Sequence, residues 1–106
     1  MDAYLKFKQE CATEISTIGK NSALANLTND WIKSVNQLKY SYHFEWQGRP
    51  IIQYPQDIVE MQELIWSTKP DLIIETGIAH GGSLIFSASM LALLDMCDAI
   101  ESGTTL

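Results

Sequence analysis

The chain of 106 residues is long enough for one small domain, and its formal net charge is −6. Its content of 46% hydrophobic and 19% charged residues is typical of a globular protein rather than a disordered one. Because the seven basic residues are scattered singly, the sequence offers no cationic surface for nucleic acid or for an anionic membrane.

Two amphipathic helices are predicted near the N-terminus. Apolar side chains recur at helical spacing over residues 4–18, and Gly19 follows as a natural stop. A second helix is expected over residues 29–39, with Thr28 as its N-cap. Residues 1–40 are therefore expected to form a helical segment.

Residues 41–56 have a different character, rich in aromatic side chains and interrupted by Gly48, Pro50 and Pro55. The alternation over residues 40–46 is compatible with a short strand, but glycine and proline would end it quickly. We therefore expect an aromatic-rich loop that seals part of the core.

A helix and then a buried strand are predicted next. Residues 57–60, with the sequence DIVE, have the form of a capping box, and an apolar stripe follows up to Trp66. Pro70 disfavours helical geometry in the residue before it, so the helix should end there. The apolar run at residues 72–74 is typical of a strand buried on both faces of a parallel sheet.

A glycine-rich loop follows, with the sequence ETGIAHGGS at residues 75–83. Gly77 permits a sharp exit from the strand and leaves room for a ligand lying on the backbone. Gly81 and Gly82 let the next helix start close to that ligand, and Ser83 is the expected N-cap of this helix.

Glu75 ends the predicted strand at the edge where open α/β sheets bind ligands, and it can accept a hydrogen bond from an ammonium or a hydroxyl group. The helix over residues 83–95 is apolar almost all round, which predicts burial on more than one side. Its free first-turn amides suit a carboxylate or a phosphate. We interpret the loop as a cofactor-binding site; the alternative is a tight turn that needs glycine without any ligand.

Three sequence elements carry a resemblance to a known family: W-x-G-x-P at residues 46–50, Q-x-P-x-D at 53–57 and E-T-G-x-x-x-G-G-S at 75–83. They make residues 40–94 similar to the cephalosporin hydroxylase / rhamnosyl O-methyltransferase family. The resemblance implies an α/β, Rossmann-like fold of the class I S-adenosylmethionine (SAM) methyltransferase type. This chain would contain its N-terminal helices and, in residues 57–106, its first helix–strand–helix unit.

The resemblance also implies a set of SAM-binding residues. Two of them would lie over the cofactor just before a helix, and four in the glycine loop, Glu75, Gly77, Gly82 and Ser83, would line its methionine end. The expected residues are Gln53, Pro55, Glu75, Gly77, His80, Gly81, Gly82 and Ser83. Family members act on small molecules or saccharides, and a divalent metal is possible in them. The metal ligands, the ribose-binding acid and the catalytic residues are expected on further strands, which this sequence does not contain.

Three functions are weighed on this basis. The first is the N-terminal part of a SAM-dependent methyltransferase or hydroxylase-like enzyme, too short to be active alone. The second is a non-catalytic fragment that self-associates through its exposed strand. The third is a hydrolase, since HGG at residues 80–82 is similar to the oxyanion loop of some esterases. No G-x-S-x-G nucleophile elbow occurs in the sequence, which excludes the third function.

The two cysteines, Cys11 and Cys97, lie far apart and belong to no C-x-x-C pair, so we expect reduced thiols. The N-terminus lacks a basic region followed by an apolar core, and is not a secretory signal. The longest apolar stretch, over residues 84–96, is too short and too interrupted to span a bilayer. A cytoplasmic protein without a membrane partner is expected.

Overall fold

The computed structural model describes residues 2–101. The chain divides into two compact units, Met1–Leu38 and Lys39–Leu106. The described residues form four α-helices, one short 3-10 helix and one antiparallel sheet of two strands.

The first unit consists of helices α1 (Ala3–Gly19) and α2 (Ser22–Gln37). The prediction of α1 is confirmed, and the side chain of Asp2 caps it by accepting a hydrogen bond from a first-turn amide. The prediction that Thr28 starts the second helix is wrong, because α2 begins earlier and is capped by Asn21. Asparagine is among the strongest N-caps, so the helix starts at the first good cap after α1.

The second unit opens with a 3-10 turn and a β-hairpin, strands β1 (Phe44–Trp46) and β2 (Arg49–Ile51). The two residues of its loop have left-handed backbone geometry, with φ 49° at Gln47 and 78° at Gly48. Positive φ at both positions gives the turn whose twist matches a hairpin. The glycine therefore connects two strands rather than ending one, and the segment expected as a loop is in part a sheet.

Helix α3 (Pro55–Thr68) has Tyr54 as its N-cap, without a side-chain hydrogen bond at the cap. The predicted capping box starting at Asp57 is therefore wrong. Proline favours the first helical position because its φ is already helical, so Pro55 starts the helix two residues earlier. The predicted end is confirmed: Lys69 leaves the helix with φ 45°, just before the next proline.

Helix α4 (Gly82–Glu101) follows the glycine loop. It starts one residue before Ser83, so that serine lies within the first turn and the predicted N-cap is wrong. It also continues past the predicted end at residue 95. The prediction that the helix is buried on more than one side does not hold at Leu84 and Leu93, which remain 44% and 48% exposed in the described structure.

The strand predicted at residues 72–74 is absent from the part of the chain that the structure describes, and the only sheet there is the antiparallel hairpin. Leu72 and Ile74 are exposed, whereas Ile73 packs against the core. The reason is physical: a central strand exists only when neighbouring strands pair with its backbone. The described residues supply no such neighbour for this segment.

The hydrophobic core of the second unit joins the hairpin to both long helices. Its buried centre consists of one residue from each element: Ile51 of β2, Ile65 of α3 and Phe86 of α4. Partly buried side chains surround this centre: Phe44, Trp46, Ile58, Ile73, Met90 and Leu94. Through this core, the start of α4 packs against the hairpin and against Ile73, which precedes the glycine loop.

Candidate functional site: a polar-rimmed cavity at the start of helix α4

A cavity of about 220 Å³ lies between α3, the segment before the glycine loop and the first turns of α4. Its walls are mostly aliphatic and aromatic, from the residues Ile51, Ile58, Met61, Ile65, Ile73, Ile74 and Phe86. Five polar side chains also line it: Gln53, Asp57, Glu75, Ser83 and Ser87. An apolar pocket with a few converging polar groups is the usual form of a small-molecule site.

Glu75 and Ser83 are joined across this cavity. The Ser83 hydroxyl donates a hydrogen bond of 2.5 Å to Oε1 of Glu75. Because α4 starts at Gly82, Ser83 holds this carboxylate beside the first turn of a long helix. Negative charge is stabilised there by the helix dipole. One carboxylate oxygen is thus held by the protein.

Gly77 and Gly81 both have left-handed backbone geometry, with φ 80° and 85°. The space beside Gly77 is open, with no heavy atom within 4 Å of its Cβ position. Between these glycines, the Gly81 amide donates to the carbonyl of Ile78 over 2.8 Å, which closes a tight turn. Ala79 has φ 47° in this turn, and His80 lies exposed beside it.

Gly82 has a different role from the other loop glycines. A Cβ atom there would lie 2.8 Å from Cβ of Ile51 and closer still to the carbonyl of Pro50. No real Cβ tolerates such a separation, so only glycine permits α4 to start against strand β2. Gly82 is buried, and it fixes the position of the helix rather than opening space for a ligand.

Trp46 holds the hairpin against α4 further along the helix. Its indole Nε1 donates a hydrogen bond of 3.1 Å to the hydroxyl of Ser89, which itself donates to the carbonyl of Ile85. The indole ring also meets Phe86 edge-on, with centroids 4.9 Å apart and the ring planes at 82°. Contacts of this geometry are favourable beyond the apolar area that they bury.

A family model described as rhamnosyl O-methyltransferase/CmcI matches residues 38–102, which is more than half of the chain. The chain belongs to this family. The match includes all three motif elements and excludes both α1 and α2. No curated protein and no solved structure matches the chain significantly.

The motifs shared with the rhamnosyl O-methyltransferase/CmcI family have distinct structural positions. The W-x-G-x-P element is the hairpin and its contact with α4. The Q-x-P-x-D element is the start of α3, where Gln53 and Asp57 line the cavity while Pro55 begins the helix. The glycine loop brings Glu75 and Ser83 to the same cavity.

Of the eight residues expected to bind a cofactor, the structure therefore brings three together at the cavity: Gln53, Glu75 and Ser83. Gly77 and His80 lie in the loop, Gly81 and Gly82 lie under the hairpin, and Pro55 begins α3. Sequence reasoning missed Asp57 as a lining residue, because it was interpreted as a cap. It also missed Trp46 and Ser89, whose contact joins positions 43 residues apart.

A larger cavity, of about 360 Å³, lies at the other end of α3 and α4, where Trp66, Lys69 and Leu94 line it. It contains no residue of the three family motifs. We therefore place the candidate site at the smaller cavity. Within residues 2–101, no group of three or more histidine, cysteine or acidic side chains is arranged to hold a metal ion. None of the described helices has the length and apolar character to cross a membrane.

Proposed function

We propose that the second unit forms the part of a SAM-dependent, methyltransferase-like enzyme that receives the methionine end of the cofactor. The acceptor would be a saccharide or another small molecule. One observation supports this most directly. Gln53, Glu75 and Ser83, from two separate family motifs, converge on one apolar-walled cavity in a chain that belongs to the rhamnosyl O-methyltransferase/CmcI family.

The residues at the cavity fit the amino-acid end of SAM chemically. Glu75 accepts hydrogen bonds and carries the charge that an ammonium group requires, with its orientation set by Ser83. Gln53 can accept or donate through its side-chain amide. Aliphatic walls such as Ile58 and Met61 suit the methylene chain of methionine. SAM would supply the methyl group when bound, and these residues would bind and orient it.

The cavity is small for the whole cofactor. Pockets that enclose drug-sized ligands measure roughly 300–1,000 Å³, and this one measures about 220 Å³. The adenosine part of SAM would therefore extend outside it. We propose that the fold around this unit is Rossmann-like, with residues 71–76 as a strand of its sheet; the exposure of Leu72 and Ile74 supports this.

A titration of the ¹⁵N-labelled chain with SAM tests the proposal. We expect shifts at the amides of Gly77, Gly81 and Ser83, with a Kd on the order of 1 mM because the cavity encloses only part of the ligand. Glu75→Gln should weaken binding at least about tenfold, as the loss of a charge-assisted contact requires.

The matched control is Glu60→Gln, which removes the same charge from an exposed position on α3 outside the cavity. It should leave the titration unchanged. Equal binding by the two variants, or shifts confined to residues away from the glycine loop, would refute the proposed site. Micromolar or tighter binding by this chain would contradict the proposal that the cavity encloses only part of SAM.

Self-association without catalysis is the second candidate function. Leu72 and Ile74 are 72% and 82% exposed in a segment that is neither helix nor strand. Exposed apolar side chains beside unpaired backbone groups are a template for pairing with another strand. For location, we propose the cytoplasm, which fits the two free thiols of Cys11 and Cys97.

A further inference from the structure

We infer that the β-hairpin positions the glycine loop, and that Trp46 and Ser89 are the positioning residues through which it acts. The inference rests on the proposed function only for the identity of the loop's ligand. Its geometric content concerns the chain without ligand: the hairpin determines how helix α4 is rotated, and that rotation determines where Ser83 meets Glu75.

The first contact is at the very start of α4. Strand β2 passes so close to Gly82 that the carbonyl of Pro50 occupies the place of a side chain. The side chain of Arg49 extends over Gly81, the residue before Gly82. Its Nη1 atom lies 3.4 Å from where a Cβ of Gly81 would be. Gly81 and Gly82 are thus packed directly beneath the hairpin.

The second contact lies two turns along the helix. Trp46 reaches Phe86 through its ring and Ser89 through its indole N–H. Positions 82, 86 and 89 follow one another at spacings of four and three residues, so they form a single stripe along α4. The hairpin therefore contacts the helix over two turns, which restrains both its position and its rotation about its own axis.

A neighbouring stripe faces the cavity. Ser83 and Ser87 are four residues apart and both line it, and Ser83 donates to Glu75. Consecutive residues of an α-helix are separated by about 100° around the axis. A rotation of α4 that alters the contact at Gly82 therefore also displaces Ser83 relative to the carboxylate. The hairpin acts on the candidate site through this coupling, although Trp46 and Ser89 line neither the cavity nor the loop.

Amide hydrogen exchange of the ligand-free chain, measured by NMR, tests the inference. The reporters are the loop amide of Gly81, which donates to Ile78, and the first-turn amide of Ile85, which donates to Gly81. Ser89→Ala removes the acceptor of the indole bond. Exchange at both reporters should accelerate about fivefold, as the loss of one hydrogen bond implies. The indole proton of Trp46 should also shift and exchange faster.

The matched control is Ser67→Ala. Ser67, like Ser89, donates its hydroxyl to a carbonyl of its own helix, but no indole N–H donates to it among the described contacts. This variant should leave both reporters unchanged. Ser89→Thr retains the hydroxyl and should restore the original exchange. Trp46→Phe removes the indole donor but retains an aromatic ring against Phe86, and should reproduce the effect of Ser89→Ala at the two reporters.

Acceleration at the two reporters in Ser89→Ala and Trp46→Phe, absent in Ser67→Ala and reversed in Ser89→Thr, supports positioning. Equal acceleration throughout α3 and α4 would show that Ser89 contributes only to general stability and would overturn the inference. Unchanged reporters would overturn it too. Since none of these measurements involves a ligand, failure to bind SAM would leave the inference intact and would count against the proposed function alone.

Discussion

Ser83 and Glu75 are eight positions apart in the sequence and form a direct hydrogen bond between side chains, 2.5 Å long, at the start of helix α4. The bond closes the glycine loop: its two ends are tied to each other, and the turn formed by Ile78 and Gly81 lies between them. If the proposed site is correct, a loop closed in this way holds its carboxylate in a fixed orientation, which would lower the entropic cost of binding.

A double-mutant cycle of Glu75→Gln and Ser83→Ala should measure what the carboxylate charge contributes to this bond, since the amide oxygen of glutamine can still accept from Ser83. We expect a coupling free energy of about 1 kcal/mol, because the bond involves a charged acceptor but is only partly buried. Urea unfolding of the four proteins gives the value. A second cycle that combines Glu75→Gln with Ser67→Ala should give a coupling near zero. Equal coupling in both cycles would contradict a specific contact.

Gly82→Ala should destabilise the second unit by roughly 1–3 kcal/mol, the usual cost of overpacking. The added methyl group would collide with backbone atoms of Pro50, which cannot rotate away as a side chain can. The same substitution at Gly19 is the control, since nothing lies within 4 Å of its Cβ position. Denaturant titrations should separate the two, and equal effects would refute the close contact.

The turn of the hairpin offers a stabilising change. Gln47 has φ 49°, a conformation that asparagine adopts at lower cost. Gln47→Asn should raise the free energy of unfolding by about 0.5 kcal/mol, whereas Gly48→Ala should lower it by about 1 kcal/mol. Thermal unfolding followed by circular dichroism measures both. No side chain lies near Gly48, so a loss there reports backbone strain alone.

Self-association should depend on the segment before the loop. Replacing Ile74, which is 82% exposed, by lysine should reduce it, because charge on an edge opposes strand pairing. Sedimentation velocity at several concentrations measures the effect. Leu64→Lys is the control, as it changes an exposed aliphatic residue on α3. A monomeric parent chain at every concentration would refute the second candidate function.

Local signals predicted some elements well. The apolar spacing of α1 and the proline after Lys69 depend only on neighbouring residues, and both predictions are confirmed. The proximity of Glu75 and Ser83 could also be inferred from the sequence, because the short glycine loop between them keeps its two ends close. That these residues bind a cofactor stays a prediction.

Other features depend on interactions that are distant in the sequence. Residues 72–74 have the composition of a central strand, yet strand formation requires pairing partners that the described chain does not supply. The hairpin was missed because its turn is Gln-Gly rather than the stronger Asn-Gly signal. The contact between Trp46 and Ser89 spans 43 positions, and no local pattern identifies such a pair.

The carbonyl of Pro50 beneath Gly82 has a consequence for recombination between relatives. Backbone from one motif occupies the side-chain volume of a residue in another, so the two motifs have to fit each other within one chain. A chimaera whose crossover lies between residues 51 and 81 would combine a hairpin from one parent with a helix start from the other. A crossover before residue 44 or after residue 89 would keep the pair together, and only such chimaeras should preserve the glycine loop.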